Sequence, residues 1–243
     1  MAKKTKKLAP KRNKQTGRRI RPMRMLLRLV LRLSLIACAL MAFWVLVYSV
    51  VNPPVTYYIL SEKRRLGDVD RLWVPLESVT PHMARSVVAA EDANFCNHWG
   101  FDVDAIRAAI EEGGSRGAST LTQQVVKNVF LWHGRNWSRK MLEAVLTPLV
   151  EATWSKRRII EVYLNIAEFD EGVFGIEAAS RHYFGVSPAK LTPVQAARLA
   201  AVLPSPKTRS ASKPSASLRR RAAMIMDGAA TINADGRAGC FQD

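Results

Sequence analysis

Residues 91–100 read Glu91-Asp92-Ala93-Asn94-Phe95-Cys96-Asn97-His98-Trp99-Gly100. Residues 117–128 read Gly117-Ala118-Ser119-Thr120-Leu121-Thr122-Gln123-Gln124-Val125-Val126-Lys127-Asn128, and residues 139–143 read Arg139-Lys140-Met141-Leu142-Glu143. Helix punctuation surrounds this window. Thr80-Pro81 is an N-cap followed by a proline at the first helical position, opening a helix over 83–91 that closes on Glu91. Asp102 caps 103–112, which runs into Gly113-Gly114. Ser119 or Thr120 opens a helix through Lys127. The reading is a mainly α domain whose polar groups sit on helix ends and faces.

The same punctuation continues outward. A long amphipathic helix is expected over 137–154, interrupted at Pro148. Ser155 caps a helix to about Ala167, another covers 176–184, and Thr192-Pro193 opens one that ends before Pro204. Residues 204–217 read as a polar linker rich in Pro and Ser, followed by a helix over about 218–232. Residues 55–78, apolar and aromatic early and then charged, read as an irregular or short-strand connector. No internal repeat is visible.

The formal charge of +17 invites a nucleic-acid reading, but its distribution argues against one. Residues 1–32 carry 13 Lys and Arg and no acid, and the first acid is Glu62. From residue 33 onward 24 basic residues face 20 acidic ones, a net of +4. The basicity is a tail, and no nucleic-acid partner is expected. Residues 33–51 form a 19-residue run without a charge. As a helix rising ~1.5 Å per residue it spans about 28 Å, close to a bilayer core. Asn52-Pro53-Pro54 stops it. The cations before it predict a cytoplasmic N-terminus with residues 55–243 exported. A cleaved signal peptide is the chief alternative, disfavoured by the length of the run and by the lack of a small-x-small site before the prolines. Cys38 lies in the span. Cys96 and Cys240 would meet an oxidising compartment and could pair, though two distant cysteines alone do not establish a bridge.

Three groups in the opening window carry chemistry. Glu91, beside apolar residues, is a candidate general base or acid with a raised pKa; an ordinary helix-end acid is the plainer reading. The stretch 117–124 supplies hydroxyls and amides suited to sugar hydroxyls, N-acetyl groups and phosphate oxygens. Lys127, Arg135, Arg139 and Lys140 follow, with Glu143 one helical turn beyond Arg139 and Lys140. They form either a solvated salt-bridged helix or a clamp for a departing diphosphate. The set suits sugar transfer at a phosphorylated anomeric carbon.

The order of these motifs resembles the family 51 glycosyltransferases, the peptidoglycan polymerases. Five motifs appear in sequence: Glu91-Asp92-x-x-Phe95-x-x-His98-x-Gly100; Gly117-x-Ser119-Thr120-x-x-Gln123-Gln124 with Lys127-Asn128; Arg139-Lys140-x-x-Glu143; Lys156 through Tyr163-Leu164-Asn165; and Gly172-Val173-Phe174-Gly175-Ile176-Glu177 through Ser180, then Tyr183-Phe184. The likeness covers about residues 79–206. Its layout is similar to the monofunctional biosynthetic transglycosylases of Gram-negative bacteria, with no transpeptidase domain expected after Asp243.

The resemblance implies a lysozyme-like, mainly α fold behind one transmembrane helix. It divides the chain into a basic tail (1–32), the span (33–51), a glycosyltransferase domain (55–217) and a C-terminal helix and tail (218–243). It implies lipid II and the growing glycan-lipid as reactants, and the inner membrane as site, with a periplasmic domain. Other wall-synthesis or division proteins are left open as partners. By the same resemblance Glu91 is the general base and Glu143 the second carboxylate. Ser119, Gln123 and Gln124 line the sugar and phosphate site, while Lys127, Arg135, Arg139 and Lys140 hold the diphosphate. No cofactor is required by the sequence; a divalent cation near Glu143 is left open. Trp99 is bulkier than the family pattern, Pro148 interrupts a helix usually continuous, and Gln195 replaces a commonly acidic position. An anchored muramidase, which needs no diphosphate clamp, and a non-catalytic membrane scaffold are the rival readings.

Overall fold

The computed structural model describes residues 22–113, 117–134 and 136–242. Most of the basic tail, together with Arg135, lies outside the described residues. The chain divides into two compact units, residues 1–42 and 43–243.

Helix α1 spans Pro22–Tyr48. It is longer at its start than the expected 33–51, because Arg24, Arg28 and Arg32 recur every four residues and do not break the helical pattern. It stops before Val51 because the prolines at 53 and 54 withhold two backbone donors. Within Met23–Tyr48 an 18-residue window has a mean hydropathy of 2.4, and this is the one described helix long and apolar enough to cross a membrane. The last turn of α1 belongs to the second unit. Trp154 Nε1 donates to Val45 O at 2.8 Å. Arg158 donates to Tyr48 O at 3.2 Å, Val51 O at 2.9 Å and Asn52 Oδ1 at 2.9 Å. Helix-end carbonyls that lack intrahelical donors are thereby satisfied.

The connector expected over 55–78 opens with a helix and only later holds a short strand. Thr56 accepts from Ile59 N and caps α2 (Tyr57–Leu66), which ends on Gly67 at φ +89°. Ile59 is buried and Tyr58 half-buried there instead of forming a strand, so tertiary contact overrides propensity. Strand β1 (Asp70–Arg71) follows. It pairs in parallel with β3 (Val173–Phe174), which pairs antiparallel with β2 (Glu168–Asp170), in the order β1-β3-β2. Gly172, at φ +74°, makes the turn between β2 and β3. Gly175 has φ +83°, and a Cβ there would lie 3.1 Å from Asn165 O.

The core is helical. Helix α3 (Pro81–Glu91) buries Met83, Ala84, Val87 and Val88 on one face. That face packs against α9 (Pro193–Val202) and α10 (Ala216–Ala234). Ala196, Ala197, Ala200 and Ala201 keep α9 slim enough for close approach. Gly228 does the same for α10, where a Cβ would come within 3.3 Å of Ala89 Cβ. A second layer packs α5 (Leu121–Phe130) against α6 (Trp137–Thr153) and α7 (Lys156–Ile166). Pro148 lies within α6 without ending it. Helices α4 (Val103–Glu111) and α8 (Ile176–Phe184) complete the set. Each fully buried Val, Leu, Ile or Phe contributes about 1.5–3 kcal/mol.

The linker expected over 204–217 is fastened along its length. Lys207 Nζ reaches Glu62 at 2.8 Å, Arg209 donates to Ala201 O at 3.0 Å, and Ala211 is buried. Beyond α10 the chain returns to α3. Cys240 is bridged to Cys96. Arg237 donates to Ala93 O at 3.0 Å, Gln242 to Pro81 O at 2.9 Å, and Phe241 is buried against Phe95. Both ends of α3 are thus held by the C-terminal turn.

Candidate active site

Two helix ends are locked together first. Asp92 follows the last residue of α3, and its buried carboxylate accepts from Leu121 N at 2.9 Å, at the N-terminus of α5. A carboxylate there meets unpaired N–H groups and the positive end of the helix dipole. The other Asp92 oxygen lies 2.8 Å from His98 Nε2, and His98 Nδ1 accepts from Gly100 N at 3.2 Å. The Gly100 donor places the imidazole proton on Nε2, where it donates to Asp92. Gly100 has φ +83°, and a Cβ would lie 2.5 Å from Thr147 Cγ2. Thr120 caps α5, donates to Gly100 O at 2.7 Å and forms a capping box with Gln123. Beneath this corner, Thr122 donates to Glu151 at 2.5 Å. Lys156 donates to Glu151 at 2.9 Å and to His98 O at 2.8 Å, with its ammonium 4.3 Å from the Phe95 ring centre.

That frame sets the site residues. Glu91, one residue before Asp92, accepts from Gln124 Nε2 at 3.0 Å. Gln124 Oε1 accepts from Tyr163 OH at 3.4 Å. Burial pushes the Glu91 carboxyl above its ordinary pKa, against the lowering effects of Gln124, Arg221 and Lys127. Lys127 lies one turn beyond Gln124 on the same face of α5. Burial lowers its pKa, and it feels Glu143 and Glu91 as well as the cations Arg139 and Lys140. Glu143 is buried on α6; Arg139 Nη1 donates to it at 2.8 Å and Lys140 Nζ to its other oxygen. Lys127 therefore stands electrostatically between the two carboxylate groups.

A cleft of about 210 Å³ opens beside Glu91, lined also by Asn94, Asp102, Ala105 and the segment 117–120. Ser119 lines it and is exposed. Of the other expected residues, Gln124, Lys127, Arg139 and Lys140 are half-buried around Glu91 and Glu143, and Arg135 lies outside the described residues. Gln123 is buried, with its amide oxygen accepting from Thr120 N at 3.1 Å, so its side chain caps α5.

Sequence reasoning passed over several neighbours. Tyr58 of α2 stacks on His133 with ring centres 3.9 Å apart, and its hydroxyl donates to Glu168. His133, in the loop between Lys127 and Arg139, has its pKa lowered to about 4 by desolvation and then by those two cations, which keeps the ring neutral. Asp92, His98 and Asp102 bring three potential ligand atoms within 4.8 Å of one another. Their hydrogen bonds engage them elsewhere: Asp102 accepts from Ala105 N at 2.9 Å and Asn94 Nδ2 at 3.0 Å, and the other two brace each other. The trio reads as a structural brace.

A half-buried carboxylate beside Lys127, with Arg139 and Lys140 in turn acting on that ammonium, suits group transfer from an anionic leaving group. The chain belongs to the transglycosylase family, which it matches over residues 60–230. It is 60% identical over 203 residues to a biosynthetic peptidoglycan transglycosylase of Jannaschia sp., covering 84% of this chain and 85% of that protein. A protein of the same description from Pseudomonas putida is 52% identical over 191 residues, 74% of this chain and 81% of the relative. One from Rhodospirillum centenum is 47% identical over 219 residues, 88% and 92% of the two chains.

Proposed function

We propose that the chain is a membrane-anchored peptidoglycan glycosyltransferase that polymerises lipid II into β-1,4-linked glycan and releases undecaprenyl diphosphate. The observation that carries the reading is Glu91, half-buried and held by Gln124, with Lys127 one turn further along α5. Glu91 takes the proton from the acceptor 4-hydroxyl as that oxygen attacks the donor anomeric carbon. The bond from that carbon to the diphosphate oxygen breaks on the opposite face, so configuration inverts. Lys127, with Arg139 and Lys140 and the expected help of Arg135, takes up the charge of the departing diphosphate. Glu143 holds Arg139 and Lys140 in place. Both of its oxygens are committed to those cations, a poor fit to an added divalent ion.

The proposed setting is the bacterial inner membrane, N-terminus cytoplasmic and catalytic domain periplasmic, where other wall-synthesis proteins work. The 13 cations before Leu33 support this orientation, and a Cys96–Cys240 bridge suits an oxidising compartment. Trp137, Met141 and Val145 recur every four residues on α6 and are largely exposed beside Lys140, a stripe suited to the bilayer interface that presents a lipid-borne substrate. Purified full-length chain incubated with labelled lipid II tests the function. Long glycan is expected; cleavage of preformed glycan without polymerisation would instead mark a muramidase, and neither activity a scaffold.

A further inference from the structure

Arg71, on β1, is a half-buried guanidinium without a counter-ion. Its Nε donates to Asn165 O at 3.3 Å, one Nη to Pro53 O at 3.0 Å and the other to Pro54 O. All three partners are backbone carbonyls, and among the described residues no carboxylate pairs with Arg71. Burial lowers its pKa with no acid acting the other way. The three bonds brace the chain after α1. They use three of the five N–H donors and bring no negative charge. A charge withdrawn from water normally has a partner of opposite sign.

Arg71 lines a recess of about 170 Å³ together with Asn52, Pro53, Pro54 and Trp73. The Trp73 ring centre lies 5.8 Å from the Arg71 guanidinium and 5.6 Å from that of Arg158. Arg158 has its own acid in Glu161, so Arg71 is the uncompensated cation of the recess. Depth is set by the chain. Asn52 follows the end of α1 by four residues, and Val51 N still donates to Val47 O at 2.8 Å. The backbone has barely left the helical path there. With α1 as the span, the residues after its last turn lie among the lipid headgroups, a level that also suits Trp73. Exposed apolar side chains flank the recess along the chain: Val50, Val51 and Val55 around Asn52–Pro54, and Leu72 between Arg71 and Trp73. A free anion would answer Arg71 alone. A ligand with an anionic head and acyl chains answers the apolar flank as well.

We propose that this recess binds the headgroup phosphate of an anionic phospholipid from the surrounding bilayer, with Arg71 donating to its oxygens. The planar guanidinium fork suits phosphate. The site stands apart from the cleft beside Glu91, and it rests on the reading of α1 as the membrane span.

The test uses full-length protein purified in detergent and stripped of lipid. It is titrated with phosphatidylglycerol, phosphatidylcholine or undecaprenyl phosphate, with inorganic phosphate as competitor, and the first bound lipid is read by native mass spectrometry. Phosphatidylglycerol should bind about tenfold tighter than phosphatidylcholine, as for one added charge-assisted hydrogen bond, and inorganic phosphate should not displace it. Arg71→Gln should bring phosphatidylglycerol down to the phosphatidylcholine level. Because Arg71 also braces three carbonyls, Leu72→Glu is the second variant. Leu72 is exposed, so the fold should stand while the added carboxylate repels the anionic headgroup and spares phosphatidylcholine. Wild-type affinity for phosphatidylglycerol in folded Leu72→Glu would overturn the proposal, as would equal affinity for the two phospholipids. Displacement by inorganic phosphate would mark a free-anion site instead, and tighter binding of undecaprenyl phosphate a carrier-lipid site. Carbonate extraction of the protein from phosphatidylcholine vesicles tests the anchor separately. Release would remove the span, and the proposal with it; retention without lipid preference would remove the recess alone.

Discussion

At the scale of single residues, the catalytic carboxylate is an expense to the fold. Burial raises the Glu91 pKa, so the folded protein favours its neutral form. That stabilisation is complete below the ordinary carboxylate pKa and is lost as pH rises through the folded value. Glu91→Gln keeps the shape without the charge. It should cut polymerisation about 10²-fold or more. It should also raise the melting temperature at pH 7, by about 2–4 °C for each kcal/mol released, and this gain should vanish at pH 4. Paired lipid II kinetics and calorimetry check both halves; a variant that polymerises at wild-type rate moves the base elsewhere. Lys127→Ala should lower the maximal rate itself, since its charge is needed most as the diphosphate departs, with Lys127→Arg recovering only part. A raised half-saturation with unchanged maximal rate would show that Lys127 binds ground and transition states alike. Gly100→Ala meets both a left-handed backbone and Thr147 at 2.5 Å, and should cost about 2–4 kcal/mol in denaturant unfolding.

At the scale of elements, the site depends on how α3, α5 and α7 are joined. Lys156 of α7 is the cation for Glu151, whose side chain is 2% exposed, and it also holds His98 O. Lys156→Met leaves a buried charge without its partner and should destabilise by about 3–5 kcal/mol. Adding Glu151→Gln should restore part of that loss; simple additivity of the two changes would show that the pair is not coupled. The local chemistry of these elements could be read from the chain. Asp102, Ser155 and Thr192 cap helices where expected, because caps act within one turn, while Thr80-Pro81 starts α3 through its proline, the Thr80 side chain making no cap hydrogen bond. Glu91, Gln124 and Lys127 were legible for the same reason, as residues on helix ends and faces. The start of α5 was left between Ser119 and Thr120, and Gln123 reads as a ligand until its burial and its capping box with Thr120 are seen. Helix α2 was not legible, because packing overruled the propensity of its residues. The stacking of Tyr58 on His133 was not either, because only the packing of α2 beside α5 brings those rings together.

At the scale of the whole molecule, the one apolar helix among the described residues, followed by a globular unit, is consistent with a single-pass membrane anchor. Protease added to spheroplasts should digest the exported unit, and full protection would reverse the proposed orientation. The Cys96–Cys240 bridge closes a separation of 144 residues, and the chain-entropy model assigns such a loop about 5 kcal/mol. Reduction by dithiothreitol should lower the denaturant midpoint of the full-length protein. An unchanged midpoint after complete reduction would mean that Phe241, Arg237 and Gln242 hold the C-terminal turn alone.

The bridge also leaves a chemical record. The chain has three cysteines, and only Cys38, exposed on α1, stays free once the other two pair. A molecule that matured on the oxidising side offers one alkylatable thiol after denaturation, and a molecule held back on the reducing side offers three. Tagging thiols with a bulky maleimide and counting the steps in this protein's gel mobility would sort a cell's population by itinerary without an activity assay.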